Sequence, residues 1–286
     1  MAYFDSFDKE IWHNLGLSYN MFQPHHLTED EVRRSLEIAD EVINNYKQRT
    51  LSQAKTMSLG DVLRSSATVY FDLGMHQTAK KAVSILKDLQ YMDNMSDKEE
   101  TLTVQSKIDS TGARLCKKPI YIEVPRKFTS TSIHFMAHEI AHILKESNPY
   151  ECMGVHTDLE VIPILIEMIS AHNSGDNNVF KKRELIMLDI ASSFKKLHQD
   201  RINNEISDED KLAFNTCYRQ NILYLNSFYY SLKLFCMYLD DPNFILTIID
   251  EVFNQKLTTS DIINYYCNND SYSLQDGLNE FRNKLK

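Results

Sequence analysis

Apolar residues recur at spacings of three and four along most of the chain, a period that predicts amphipathic helices. Thr28-Glu29-Asp30-Glu31 reads as a capping box opening a helix to about Arg49, with Val32, Leu36, Ala39, Ile43 and Tyr46 as its inward stripe. Ser58 caps a second helix, in which Val62, Leu63, Val69 and Tyr70 face inward and which Gly74 breaks. A third spans about 76–92, with Ala79, Val83, Leu86 and Leu89 apolar. The pattern then changes. Residues 93–100 are a charged connection, and 101–118 read as loop or short strands. Pro119-Ile120-Tyr121-Ile122-Glu123-Val124 is strand-like, with residues 101–108 as a possible hairpin partner. The helical period resumes at 133–147, after Ser132 as cap and before Asn148-Pro149 as stop, and again at 157–172. Further helices are predicted at 179–203, 208–239, 243–254, 260–267 and 273–285.

Composition supports this picture. Seven glycines and six prolines in 286 residues are too few for a turn-rich β architecture. Hydrophobic content of 43% and charged content of 25% are those of a globular protein. The net charge is −9 and no basic run stands out, so nucleic acid and anionic membrane are poor partners. Five cysteines, an odd number without a CxxC, predict free thiols in a reducing compartment. The first residues carry neither a basic region nor an apolar run, so a cytoplasmic protein is the expectation, with leaderless export left open.

One stretch names a chemistry. His138-Glu139-Ile140-Ala141-His142 is an HExxH motif inside an apolar helix. Residues four apart share a helical face, so both imidazoles can aim at one zinc ion. Glu139 sits beside them, where a carboxylate can take a proton from water. A catalytic zinc usually has three protein ligands, and Glu160 is the candidate third. Its other reading is the glutamate of a capping box with Thr157 as cap. Glu167, seven residues on and on the same face, suits an acceptor for a ligand histidine's N–H, or else a solvated surface position. His134, His156 and the pair His25-His26 read as ordinary helix or loop histidines.

The strand-like segment, the HExxH helix and the Glu-x6-Glu that follows resemble the oligoendopeptidase F and thimet oligopeptidase family of zinc peptidases. The resemblance covers about residues 117–285. It implies one Zn2+ per chain held by His138, His142 and Glu160, with Glu139 as general base and Glu167 in support. It further implies a late helix, here Tyr224-Leu225-Asn226-Ser227-Phe228-Tyr229-Tyr230, that turns a tyrosine toward the scissile carbonyl. Tyr224, Tyr229 and Tyr230 are the candidates, and core packing is their alternative role. An edge strand beside the zinc, Tyr121, Ile122 and Glu123, would pair with the substrate backbone. Ala141 stands where the family has glycine, and the late helix lacks the family's histidine.

The expected architecture is mostly α: two helical lobes around a zinc cleft, with a small β element beside the HExxH helix. Residues 1–115 would form the N-terminal lobe and 116–286 the catalytic unit. The expected activity is peptide-bond hydrolysis on oligopeptides or a protein. Two alternatives stay open: a regulatory or toxin-like zinc protease with a single protein target, and a non-enzymatic helical binding protein with a degenerate site.

Overall fold

A computed structural model describes residues 27–88, 90–93, 112–114, 121–124, 127–145, 158–203, 211–268 and 272–285. The described chain is mostly helical, with small sheets. In order, the helices are α1 (Glu29–Asn45), α2 (Leu59–Asp72), α3 (His76–Asp88), α4 (Ser132–Lys145), α5 (Asp158–Ser174), α6 (Asn177–Ile202), α7 (Lys211–Asp240), α8 (Pro242–Phe253), α9 (Thr259–Ile262) and α10 (Leu274–Asn283). A π-helical turn, Ile263–Cys267, extends α9. Among the described residues no helix is long and apolar enough to cross a membrane.

Local chemistry sets many helix ends. The Thr28 hydroxyl accepts from the Glu31 amide while Glu31 reaches back to the Thr28 amide, a complete capping box. Ser58 accepts from the Asp61 amide and starts α2. Gly74 ends that helical run at φ +77°, a conformation that only glycine adopts without strain. Asp241 caps α8, with Pro242 at its first position, where a missing N–H costs nothing. Ser132 departs from expectation: it lies within α4, and its hydroxyl accepts from the Thr129 amide instead of capping.

The core is built around α5. Val161, Ile162, Ile164, Leu165, Ile166, Met168 and Ile169 are all fully buried. A helix apolar on every side must be covered on every side. Here α4 and α7 pack most extensively on α5, with α6 alongside. α1 lies on α6 and α7, and α2 lies on α3 and α4. The Tyr70 hydroxyl donates to the Ala137 carbonyl at 2.6 Å and Ser66 donates to the Ile133 carbonyl at 3.0 Å, tying α2 to the backbone of α4.

Among the described residues the β elements are five short strands. β1 (Thr56–Met57) pairs antiparallel with β5 (Phe128–Thr129). β2 (Gln90–Asp93), β3 (Gly112–Arg114) and β4 (Tyr121–Val124) form a second sheet in the order β2-β4-β3. Two expectations change. The tail of the predicted third helix is strand β2, which pairs parallel with β4. β4 is a central strand, not an edge: Tyr121, Ile122 and Glu123 are paired on one side by residues 90–92 and on the other by 112–114. With both sides of its backbone occupied, this stretch has no free edge for a substrate strand. The hairpin partner expected at 101–108 lies outside the described residues.

Candidate metal centre

α4 carries the motif as a buried element. Phe135, Met136, Ala137, Ile140, Ala141, Ile143 and Leu144 enclose it, so its histidines face the interior. His138 and His142, one turn apart, bring their Nε2 atoms within 3.2 Å, with ring centroids 4.9 Å apart. Two imidazole nitrogens at that distance need a proton or a cation between them, because their lone pairs otherwise repel.

Glu160, from the first turn of α5, closes the third side. Its Oε2 lies 3.3 Å from His138 Nε2 and its Oε1 lies 3.5 Å from His142 Nε2. Charge-assisted hydrogen bonds are shorter, about 2.7–2.9 Å. Ligands at about 2.0–2.2 Å from a tetrahedral zinc stand roughly 3.3–3.6 Å from one another. The separations lie near that range, with Glu160 turning a different oxygen to each histidine. Glu139 is also near: its carboxylate and both imidazoles have donor atoms within 4.8 Å of one another. Two carboxylates, Glu139 and Glu160, therefore stand close enough to the imidazoles to complete a ligand set. Thr157, the alternative capping partner of Glu160, lies outside the described residues.

Behind the histidines the charges continue. Glu167, fully buried, places Oε2 at 3.2 Å from His138 Nδ1, an ion-pair distance without good hydrogen-bond alignment. The Arg183 guanidinium holds the other side of Glu167: Nε donates to Oε1 at 2.9 Å and Nη2 donates to Oε2. Burial opposes a charge on His138, but Glu160, Glu167 and Glu139 outweigh it and lift its pKa to about 10. Burial likewise opposes ionisation of Glu160, yet the two histidines hold its carboxyl well below the usual range. Glu167 is lowered against burial by Arg183 and His138. The charge of Glu160, then burial, raises the pKa of Tyr224 of α7, so this phenol stays neutral.

The other tyrosines point elsewhere. Five and six residues beyond Tyr224, Tyr229 and Tyr230 project from other faces of α7. The Tyr230 hydroxyl accepts from Arg34 Nη1 at 2.6 Å, and the Arg34 guanidinium lies about 5 Å from both rings. His134, one turn before His138, is hydrogen-bonded to Ser170 and Ser174, with Asp176 Oδ2 farther off at 3.9 Å. A cleft of about 810 Å³ lies beside it, lined by residues that include Lys55, Asp72, His134, Asn173 and Lys181. Neither metal-site histidine lines that cleft, so its size says nothing about the metal chemistry. His25, His26 and His156 lie outside the described residues.

Arg183 was not singled out in the sequence. It stands third in the basic run Lys181-Lys182-Arg183, within the predicted helix at 179–203. The missed signal is its register: Phe180, Arg183, Met187, Ala191 and Phe194 follow one another at three- and four-residue steps, and all five are buried. A charge inside an apolar stripe needs a buried partner.

No family model, curated protein or solved structure matches the chain. The likeness to oligopeptidases therefore rests on the motif residues alone.

Proposed function

We propose that the chain is a zinc-dependent peptidase acting on oligopeptides or a protein substrate, with one Zn2+ held by His138, His142 and Glu160. The observation that carries this reading is the convergence of two imidazole nitrogens 3.2 Å apart with the Glu160 carboxylate, whose two oxygens face them at 3.3 and 3.5 Å, separations near those of ligands around one zinc ion. The donor chemistry fits as well, two imidazoles and a carboxylate being a common catalytic zinc set. A bound zinc ion would polarise the substrate carbonyl and make water easier to deprotonate. Glu139 takes the proton of the attacking water and delivers it to the leaving amine. Tyr224, whose pKa is raised chiefly by the charge of Glu160, is the tyrosine we assign to donate to the oxyanion. The arrangement of residues 1–115 and 116–286 as two lobes about a zinc cleft belongs to the same proposal. Contacts of α1 with α6 and α7, and of α2 with α4, would join the two along a broad front.

The test is Glu139→Gln beside wild type, read as zinc content, thermal melting and cleavage of a mixed peptide library and of folded proteins. The amide keeps shape but cannot accept the proton. Zinc and melting should be unchanged while hydrolysis falls by about 10²–10⁴-fold. Equal cleavage by both proteins removes Glu139 as base. Zinc binding with no cleavage of any peptide or protein favours a binding protein.

A further inference from the structure

We propose that Arg183 is a positioning residue for the metal centre: through Glu167 it fixes the orientation of His138, and so sets how tightly the centre holds its divalent ion. The inference rests on the metal reading above. Arg183 is 4% exposed and Glu167 is fully buried. The guanidinium engages both carboxylate oxygens, and one of them, Oε2, also faces His138 Nδ1 at 3.2 Å. A planar fork on a carboxylate fixes the carboxylate's plane. That plane sets the direction from which an imidazole N–H can approach, and hence where the opposite ring nitrogen points. Arg183 is itself held in place. α6 sets it between buried Phe180 and Met187, and its guanidinium carbon lies 5.9 Å from the Phe135 ring of α4, the helix that carries His138.

Charge points the same way. Among the described residues at the centre, Glu139, Glu160 and Glu167 are three enclosed carboxylates and Arg183 is one fixed cation. The carboxylates outnumber that cation, which favours further positive charge at the histidines. The next residue of α6 supplies a contrast. Glu184 pairs with Arg49 at 3.0 Å, the same chemistry on the same helix, and the Arg49 side chain is 24% exposed. Neither residue is a described neighbour of the histidines.

The experiment uses the full chain. Zinc affinity is read by competition with a chromophoric chelator, the visible spectrum of the Co2+-loaded protein reports ligand geometry, and melting of the metal-free protein reports the fold. Arg183→Gln should weaken zinc by about 10–100-fold and alter the Co2+ spectrum. Arg183→Lys should recover part of the loss, because it restores charge without the fork. Arg49→Gln should leave zinc affinity at the wild-type value, whatever it does to melting. If Arg183→Gln does not fold, Arg183→Met with Glu167→Gln removes both charges together, a replacement that buried ion pairs often tolerate. That double variant should also bind zinc more weakly than wild type. Wild-type zinc affinity in any folded Arg183 variant overturns the inference alone. A wild-type chain that binds no zinc overturns the metal reading, and this inference with it.

Discussion

His134 and His138 sit one turn apart on α4, and both are about 5% exposed. Their chemistry diverges because α5 meets them with different side chains. The C-terminal half of α5 offers hydroxyls: His134 Nδ1 is 2.9 Å from Ser170 Oγ and Nε2 is 3.2 Å from Ser174 Oγ. Both serines also reach backbone carbonyls, Ser170 that of Glu167 and Ser174 that of Ala171. The N-terminal half of α5 offers carboxylates, Glu160 and Glu167, to His138. Burial lowers the pKa of His134, with Asp176 and Glu167 too weak to reverse it. The same penalty acts on His138 and is overcome, giving a pKa of about 10. Equal burial thus gives opposite outcomes, and the charge of the facing side chain decides which.

The largest expected effect separates the two directly. His138→Ala and His142→Ala should abolish zinc binding, while His134→Ala should keep about one zinc per chain. Metal analysis of the three purified variants decides it, and equal stoichiometry in all of them would erase the distinction.

A smaller difference should appear within α5. If the proposed zinc site holds, Glu160→Ala removes a direct ligand, whereas Glu167→Ala removes a support whose loss costs roughly 10–100-fold in metal affinity. Chelator competition should rank Glu160→Ala as the weaker binder. The reverse ranking would move the ligand role to Glu167.

The smallest effect is one of pH. His134 has a folded pKa below its unfolded value of about 6.5. It is neutral when folded and takes up a proton more readily when unfolded. Its contribution is therefore present above about pH 6.5 and is lost as pH falls toward its folded pKa. Denaturant unfolding at neutral and mildly acid pH should show a shallower pH dependence for His134→Gln than for wild type. Parallel slopes would mean that His134 is not held neutral.

Much of the fold and half of the centre can be read along the chain, because they depend on residues within a turn or two of one another. Thr28 with Glu31, Ser58 with Asp61 and Asp241-Pro242 set helix ends by contacts three residues apart or fewer. The helical period alone puts His138 and His142 on one face and Glu139 beside it. The rest involves pairs that only packing joins. Glu160 could equally have served as part of a local cap; the packing of α5 on α4 turns it to the histidines. Arg183 looked like one more surface cation until α6 placed it against Glu167, sixteen residues earlier. β4 shows the same limit, since apolar, β-branched residues predict a strand but not which strands flank it. Local preference is written in neighbouring residues, whereas a partner far along the chain is chosen by how whole elements bury their apolar faces. That choice, made in the tertiary structure, surrounds two histidines with carboxylates and leaves a third among hydroxyls.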